Sequence, residues 1–282
     1  MTPPPRQPRS MLFVSGEKAE RFPKAMTAGA DLVCIDLEDA VHPERKQTAR
    51  DGVLAWLKAN PRSADAPQTA LRINAVRTVE GLRDIVALVE SGVRVDWLLL
   101  PKVEDAADVQ CIQAWAGGQF DAVTALIETP HGIENALSIA RAGGKLGALM
   151  LGGADLASEL GAQFGWDGLL PARGRLVNAA RAAGLQAWDV PHIDLGNPDG
   201  LVDETRRVLA MGFGCKSAIH PQQISLIHAA FAPAAAEVEW AQSLLQALPE
   251  GQASGAFIFQ GRMVDAPVLR KAQRIVELAS LS

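Results

Sequence analysis

The sequence predicts an α/β protein in which eight parallel strands alternate with helices and close into a (β/α)8 barrel. Three observations predict this fold. Eight short apolar segments recur over about 220 residues, which is typical of such barrels. Longer amphipathic segments separate them, and strict alternation of this kind indicates a parallel sheet. Polar residues also follow the C-terminal ends of the apolar segments and form no comparable cluster at the opposite ends.

The predicted strands are short, and several are apolar on both faces, as in WLLL (97–100) and ALML (148–151). Such runs are typical of strands buried between a core and a shell of helices. The strands are predicted at residues 11–14, 31–36, 70–73, 97–100, 123–127, 148–151, 185–188 and 214–219.

The predicted helices carry apolar residues at helical spacing, and Gly184 and Gly212 end two of them just before a strand. They are predicted at residues 43–59, 79–89, 133–142, 170–183 and 199–211. A doubly wound open sheet is the alternative fold, and periodicity alone leaves it open. No GxGxxG follows the first strand, where Ser15-Gly16-Glu17 stands.

Three regions are expected along the chain. Residues 1–9 form an N-terminal arm, and residues 10–248 form the barrel with one alanine-rich helix at 222–248. Residues 249–282 exceed a minimal barrel. In them Phe257–Phe259, a Gln-Gly turn and residues 263–264 predict a small hairpin before a final helix. We expect this segment to be a lid or an interface element.

The composition excludes several classes of protein. The chain has 48% hydrophobic and 21% charged residues and a net charge of −5, with no basic stripe that indicates nucleic-acid binding. No apolar run is long enough for a membrane span. The polar, proline-rich start and three scattered cysteines are typical of a cytoplasmic protein.

Catalytic groups of such barrels lie at the C-terminal ends of the strands, so the polar residues there are the site candidates. Glu128 and Asp155 end neighbouring strands, and two carboxylates with waters favour Mg²⁺. Gly152 and Gly153 let a ligand approach the backbone closely. The alternative, equally supported by sequence, is that Glu128 and Asp155 cap the helices that follow.

Arg72 is the one cation in an apolar strand, and a guanidinium there suits a carboxylate or a developing enolate oxygen. The alternative is a structural ion pair with the acids of DLED (36–39), which would also orient Arg72. Asp36 and Glu38 share a side by strand alternation. One of them is expected to support Arg72 or the waters of the metal, and we name Glu38 among the catalytic residues. Asp39 is expected in a solvated loop or as a helix cap.

Lys102 follows the fourth strand and suits either a Schiff base or, beside a metal site, anion binding. Among the histidines, which show no HxH or HExxH spacing, His220 at the end of strand eight is the one site candidate.

Eight motifs occur in an order that resembles one family, the citrate lyase β-subunit-like branch of the HpcH/HpaI aldolase superfamily. That branch includes malyl-CoA and citramalyl-CoA lyases. The motifs run from Arg9 to the C-terminus, and one departure is Ser15, where the family usually has proline. They are RSMLFVSG (9–16), DLEDAV (36–41), RIN (72–74), LLPKVE (99–104), ETPHG (128–132), GGADL (152–156), IHPQQI (219–224) and GRMVDAPVLRKAQ (261–273).

The resemblance implies a TIM barrel that binds Mg²⁺ through Glu128 and Asp155, with Arg72 on the substrate carboxylate or thioester oxygen. It implies that Gly153, Ala154 and Asp155 contact substrate. It also implies a homo-oligomer, a trimer or hexamer, in which the tail covers a neighbouring subunit's site and Asp265 enters as general acid/base. The alternative for Asp265 is an N-cap of the final helix.

The expected reaction is reversible Claisen-type cleavage of a malyl-, citramalyl- or citryl-type thioester to an acyl-CoA and a 2-oxo acid. Arg9 or Lys18 near the barrel mouth is expected to meet a CoA phosphate. Three alternatives are a metal-dependent aldolase of free hydroxy-oxo acids, a β subunit acting on an acyl-carrier-protein thioester, and a non-catalytic acyl-CoA-binding barrel.

Overall fold

The computed structural model describes residues 5–63, 66–248 and 256–279. Eight parallel strands form a closed barrel in sequence order, and β8 pairs with β1. The predicted barrel is therefore confirmed, and the open sheet is excluded. The strands are β1 (Ser10–Ser15), β2 (Leu32–Asp36), β3 (Gln68–Arg72), β4 (Val95–Leu100), β5 (Phe120–Ile127), β6 (Leu146–Leu151), β7 (Gln186–Asp189) and β8 (Cys215–Ala218).

The helices alternate with the strands, and several begin at a side-chain cap. Thr78, Thr129 and Asn197 each accept a hydrogen bond from a glycine N–H three residues later. The helices are α1 (Phe22–Met26), α2 (Lys46–Ala59), α3 (Val79–Ser91), α4 (Ala106–Ala116), α5 (Pro130–Ala140), α6 (Gly153–Leu160), α7 (Trp166–Ala182), α8 (Pro198–Met211), α9 (Gln222–Phe231), α10 (Ala235–Gln246) and α11 (Ala266–Ala279).

The prediction of one continuous helix over residues 222–248 is wrong. The chain leaves the helix after Phe231 and enters a new one at Ala235. Pro233 lies in the gap, where it has no N–H to donate and disfavours a helical residue before it.

Strand register brings the first three strand ends together. Asp36 is paired with Ser15 of β1 on one side and with Arg72 of β3 on the other. Arg72 in turn is paired with Leu99, just before β4 ends. Residues that follow these strands therefore emerge at one end of the barrel, which we call the mouth.

The barrel interior is a closely packed apolar core. Trp97 and Trp188 meet inside it with ring centroids 4.8 Å apart. Cys34 and Cys215 are fully buried in the same core as free thiols, whereas Cys111 is partly exposed. No helix within the described ranges is both long and apolar enough to cross a bilayer.

Contacts divide the chain into two compact units, Met1–Ile227 and His228–Ser282. This division falls earlier than the boundary predicted at residue 248, because α10 packs with the C-terminal segment. In the second unit, β9 (Phe257–Phe259) and β10 (Arg262–Val264) form the predicted hairpin. Gln260 and Gly261 both have positive φ, 47° and 73°, as a two-residue hairpin turn requires. Val264 packs with α10 and α11.

Candidate active site

A cavity of about 390 Å³ opens at the barrel mouth. Its walls combine ionisable groups with apolar side chains, so that one part can hold charge and the other excludes water. The lining comprises Phe13, Asp36, Asp39, Ala40, Arg72, Leu126, Glu128, Met150, Leu151, Gly152, Gly153, Ala154, Asp155, Phe164, Val190, Pro191, Ile193 and Ile219.

Arg72 lies in this cavity wall, held by the acids of the β2–α2 loop. Its Nε and Nη2 donate to the two carboxylate oxygens of Asp36 at 2.7 and 2.6 Å. Nη1 lies 3.0 Å from Glu38 and 3.7 Å from Asp39, and the guanidinium stacks over the Phe13 ring at 5.1 Å. Burial opposes the charge of Arg72, but the bonds to Asp36 outweigh it and raise the pKa. The expected ion pair therefore exists and fixes the guanidinium as a cation.

Glu38 is buried beside Arg72, and its Oε2 atom has no aligned hydrogen bond although it lies in ion-pair range of Nη1. Burial raises the pKa of Glu38 to about 7 against the attraction of Arg72. The loop that carries it is closed by Asp36, which accepts from the N–H groups of Glu38 and Ala40. Asp39 is largely exposed, as expected for a solvated loop.

Glu128 at the end of β5 is 4% exposed, and its Oε1 atom accepts from the Lys102 N–H at 2.8 Å. Burial raises its pKa to about 8, and the charge of Glu38 adds to this. A Cβ at Gly152 would lie 2.4 Å from Glu128 Oε2, so the glycine is required for this packing. Thr129 caps α5. The capping alternative for Glu128 is therefore wrong.

Asp155 lies inside the first turn of α6, whose N-cap is Gly152, so the capping alternative for Asp155 is wrong as well. Its carboxylate is 39% exposed and faces Lys102 Nζ at 3.5 Å. Gly153 and Ala154 precede it in the same turn and line the cavity. The N–H groups of a helix start favour an anionic ligand.

Lys102 connects the acids of the mouth. Its ammonium lies 3.6 Å from Glu38 and 3.5 Å from Asp155, while its peptide N–H binds Glu128. Its φ of 53° is rare outside glycine. Partial burial opposes the charge of Lys102, but Glu38 and Asp155 outweigh it and raise the pKa. A charged amine is not a nucleophile, so this environment disfavours the Schiff-base role and makes Lys102 a member of the charge cluster.

The donor set fits a hard divalent cation. The carboxylates of Glu38, Glu128 and Asp155 all contact Lys102, and burial raises the pKa values of Glu38 and Glu128. Oxygen donors of this kind suit Mg²⁺, which takes one or two carboxylates and keeps several waters. Among the described residues, no three or more His, Cys, Asp or Glu side chains are grouped closely enough to hold a metal ion together.

Four other predicted residues lie in different settings. The prediction that Arg9 lies near the mouth is wrong. Arg9 precedes β1, at the barrel end opposite the mouth, and pairs with Asp31 at 3.0 Å. Lys18 is exposed in the loop after β1, on the mouth side. His220 is exposed, and its Nδ1 accepts from Gln222 N–H. Asp265 caps α11 by accepting from Val268 N–H at 3.3 Å, so its capping alternative is confirmed.

Similarity to known proteins extends over nearly the whole chain. The profile of the family described as HpcH/HpaI aldolase/citrate lyase matches residues 9–221. The citrate lyase β subunit of Escherichia coli (strain K12) is 36% identical, over 98% of this chain and 95% of its own length. The mitochondrial citramalyl-CoA lyase of Rattus norvegicus is 31% identical, over 96% and 86%.

Among solved structures, Mycobacterium tuberculosis CitE in complex with magnesium, acetoacetate and coenzyme A superimposes with a TM-score of 0.81. The two chains are 34% identical, and the match covers 96% of this chain and 98% of that one. The relatives and this chain thus share both sequence and fold.

Proposed function

Because the chain belongs to the HpcH/HpaI aldolase/citrate lyase family, we propose that it is a Mg²⁺-dependent carbon–carbon lyase. It cleaves a 3-hydroxy-carboxyacyl thioester reversibly into an acyl-CoA and a 2-oxo acid. The observation that carries the proposal is the mouth cavity, where Arg72 meets buried carboxylates with raised pKa values. The CitE complex supports it, since magnesium, an oxo acid and coenzyme A occur there together.

Glu128 and Asp155 would hold the metal, as the oxygen-only donor set allows. When bound, Mg²⁺ would polarise the hydroxyl and carboxylate oxygens of the substrate. Lys102 keeps these carboxylates oriented by contacting both of them. The N–H groups of Gly153 and Ala154 would receive the carboxylate of the oxo acid.

Arg72 would stabilise the negative charge that develops on the thioester oxygen as the carbon–carbon bond breaks. A guanidinium has five N–H donors, and two of them donate to Asp36, so donors on Nη1 and Nη2 would be available to a ligand in the cavity. Asp36 and Glu38 hold the group in one orientation, which avoids reorganisation during the reaction.

Asp265 would exchange the proton at the α-carbon of the thioester, as acid in cleavage and as base in condensation. Its Oδ1 atom caps α11, which leaves Oδ2 for the proton. We place this group in the site of a neighbouring subunit, within a homotrimer or homohexamer. Lys18 would meet a phosphate of CoA, and we place the enzyme in the cytoplasm.

A second candidate function is the same cleavage reaction on a thioester of a different acyl carrier. The relative from Escherichia coli is by name one subunit of citrate lyase, so this chain is also a candidate for a complex that processes an acyl-carrier-protein thioester.

A coupled cleavage assay tests the proposal. Malyl-CoA, citramalyl-CoA and citryl-CoA are incubated in parallel with Mg²⁺, release of the 2-oxo acid is measured, and EDTA serves as control. We expect metal-dependent release from at least one thioester. Release from none, with no CoA binding by calorimetry, would favour the carrier-protein subunit or an aldolase of free acids. Retained CoA binding without metal or turnover would instead indicate a non-catalytic barrel.

The placement of Asp265 is tested by mixing. Asp265→Asn and Arg72→Ala proteins are each expected to be inactive, and mixed oligomers are expected to regain activity. Absence of recovery after confirmed subunit exchange would contradict a shared site.

A further inference from the structure

A polar network of Lys46, Asn74 and Asp84 contacts the backbone of the loop that carries the acids of the mouth. We propose that Lys46 and Asn74 are positioning residues that hold the β2–α2 loop so that Glu38 faces Arg72. This inference relies on the proposed lyase for its kinetic assay but rests on contacts within the chain.

Lys46 makes the central contacts. Its ammonium donates to the peptide oxygens of Leu37 at 2.9 Å and Glu38 at 2.7 Å, and to Asn74 Oδ1 at 2.7 Å. Lysine has three N–H donors, so each of them has an acceptor here. Two of the three acceptors belong to the loop that presents Glu38.

Asn74 links the loop to the barrel wall. Its Nδ2 donates to Leu37 O at 3.0 Å, and both its Nδ2 and its peptide N–H bind Asp84 Oδ2 at 2.7 Å. Asp84 is 2% exposed and bonds Arg50 Nε at 2.6 Å. The loop is thus tied to α2 through Lys46 and to α3 through Asp84.

Negative charges repel one another in the same loop. Asp36, Glu38 and Asp39 are three acids within four residues, and Glu38 is buried enough for its pKa to reach about 7. The cations on the cavity side are Arg72 and Lys102. Lys46 adds a third cation and binds the peptide oxygens of both Leu37 and Glu38.

Removing the ammonium leaves two loop carbonyls without this donor and lets Glu38 move away from Arg72. Lys46 is not among the residues that line the described cavity, so substrate contacts remain. We therefore expect Lys46→Met to lower kcat by about 30-fold with KM changed less than about 3-fold, as misplacement of a catalytic group does. Lys46→Arg, which keeps charge and donors, should recover most of kcat.

Lys58→Met is the matched control, because Lys58 is an exposed lysine at the other end of the same helix. It should leave kcat within about 2-fold, as an exposed substitution away from the site does. In a Glu38→Gln background, Lys46→Met should add less than about 2-fold, since two residues that act as a unit are non-additive. Equal effects of Lys46→Met and Lys58→Met, no recovery in Lys46→Arg, or full additivity with Glu38→Gln would overturn the proposal.

Crystal structures of the wild type and Lys46→Met separate this inference from the proposed reaction. We expect Glu38 Oε2 to lie well beyond 3.0 Å from Arg72 Nη1 in the variant, against 3.0 Å here. An unchanged distance would overturn the positioning role even if the lyase is confirmed. Failure of all thioesters in the assay would overturn the lyase and leave this readout intact. Lys46→Gln, which keeps a stem and a donor, takes the place of Lys46→Met if the latter does not fold.

Discussion

Charged residues cluster at both ends of the barrel, and the two clusters differ in how their charges are paired. The sequence predicted such a cluster only at the C-terminal strand ends. At the end opposite the mouth, a larger cavity of about 780 Å³ is lined by Arg62, Arg94 and Asp96. There Arg62 and Arg94 reach Asp121 at 2.6 and 2.8 Å, and although burial opposes it, they lower the pKa of that carboxyl. At the mouth, burial raises the pKa values of Glu38 and Glu128.

The difference teaches that cavity size does not identify the site. The far-end acid Asp121 is also buried, with 6% of its side chain exposed, but it pairs with Arg62 and Arg94, which are 36% and 50% exposed. At the mouth, Glu38 and Glu128 are buried and their pKa values are raised, an arrangement that favours binding a cation and moving protons. We expect substitutions of the same type to have large effects at one end and small effects at the other.

The metal site should show the largest contrast. Asp155→Asn or Glu128→Gln is expected to lower kcat/KM by about 1000-fold, because each removes a proposed ligand to an essential cation. Asp121→Asn at the far end should change it by less than about 2-fold. Comparable losses at both ends would contradict the assignment of function to the mouth.

Arg72→Lys should follow, with kcat/KM reduced about 100-fold, because one ammonium cannot hold Asp36 and Glu38 and also serve a ligand. The matched substitution is Arg62→Lys, which is expected to retain activity. Steady-state kinetics on the same thioester would compare the pair, and retained activity in Arg72→Lys would remove Arg72 from the mechanism.

The pH dependence of stability should differ next. A carboxyl with a raised pKa favours the folded state at low pH, and this contribution is lost as the pH rises. Without metal, ionisation of Glu128 should lower the melting temperature of the protein progressively as the pH rises from 4.5 to about 8. Mg²⁺ should restore it most at the alkaline end. In Glu128→Gln, scanning calorimetry should show a weaker pH dependence and little response to Mg²⁺; an unchanged response would exclude Glu128 as a ligand.

The smallest effect is expected at the far end. Arg94→Ala should destabilise the protein by less than about 1 kcal/mol, since Arg94 is half exposed and Arg62 still pairs with Asp121. Because its pKa is lowered, Asp121 stabilises the folded protein above pH 3.8, the ordinary pKa of the group, and this contribution is lost as the pH falls. The variant should therefore differ from wild type mainly near neutral pH. Urea unfolding at pH 7 and pH 3 would measure this, and an equal deficit at both values would contradict pairing as the cause.

The sequence predicted the barrel because the spacing of apolar residues and the alternation of strands and helices can be read along the chain. The pairing of Arg72 with the DLED acids was one of two alternatives that the sequence left open for Arg72, and it could be foreseen because both end neighbouring strands. The bridging role of Lys102 depends on a positive φ and on side-chain reach, which no pattern encodes. Lys46 was missed for the same reason, as its three acceptors come from separate segments.

Two predictions were wrong although the sequence contained the features that contradict them. Arg9 precedes its strand and therefore belongs to the far end, and Pro233 interrupts the helix predicted through it. Whether Asp265 reaches another subunit is a property of an assembly, which one chain's sequence does not encode.

The rate at which the buried thiols inside the barrel react with a reagent can measure how often the barrel opens. Burial raises the pKa of Cys34 and Cys215, so that neither forms a reactive thiolate while the strands stay closed. Cys111 is the more accessible of the three and should react first with a maleimide. Modification of the other two then requires the strands to separate, so the rate of the slow labelling phase reports how often the barrel opens.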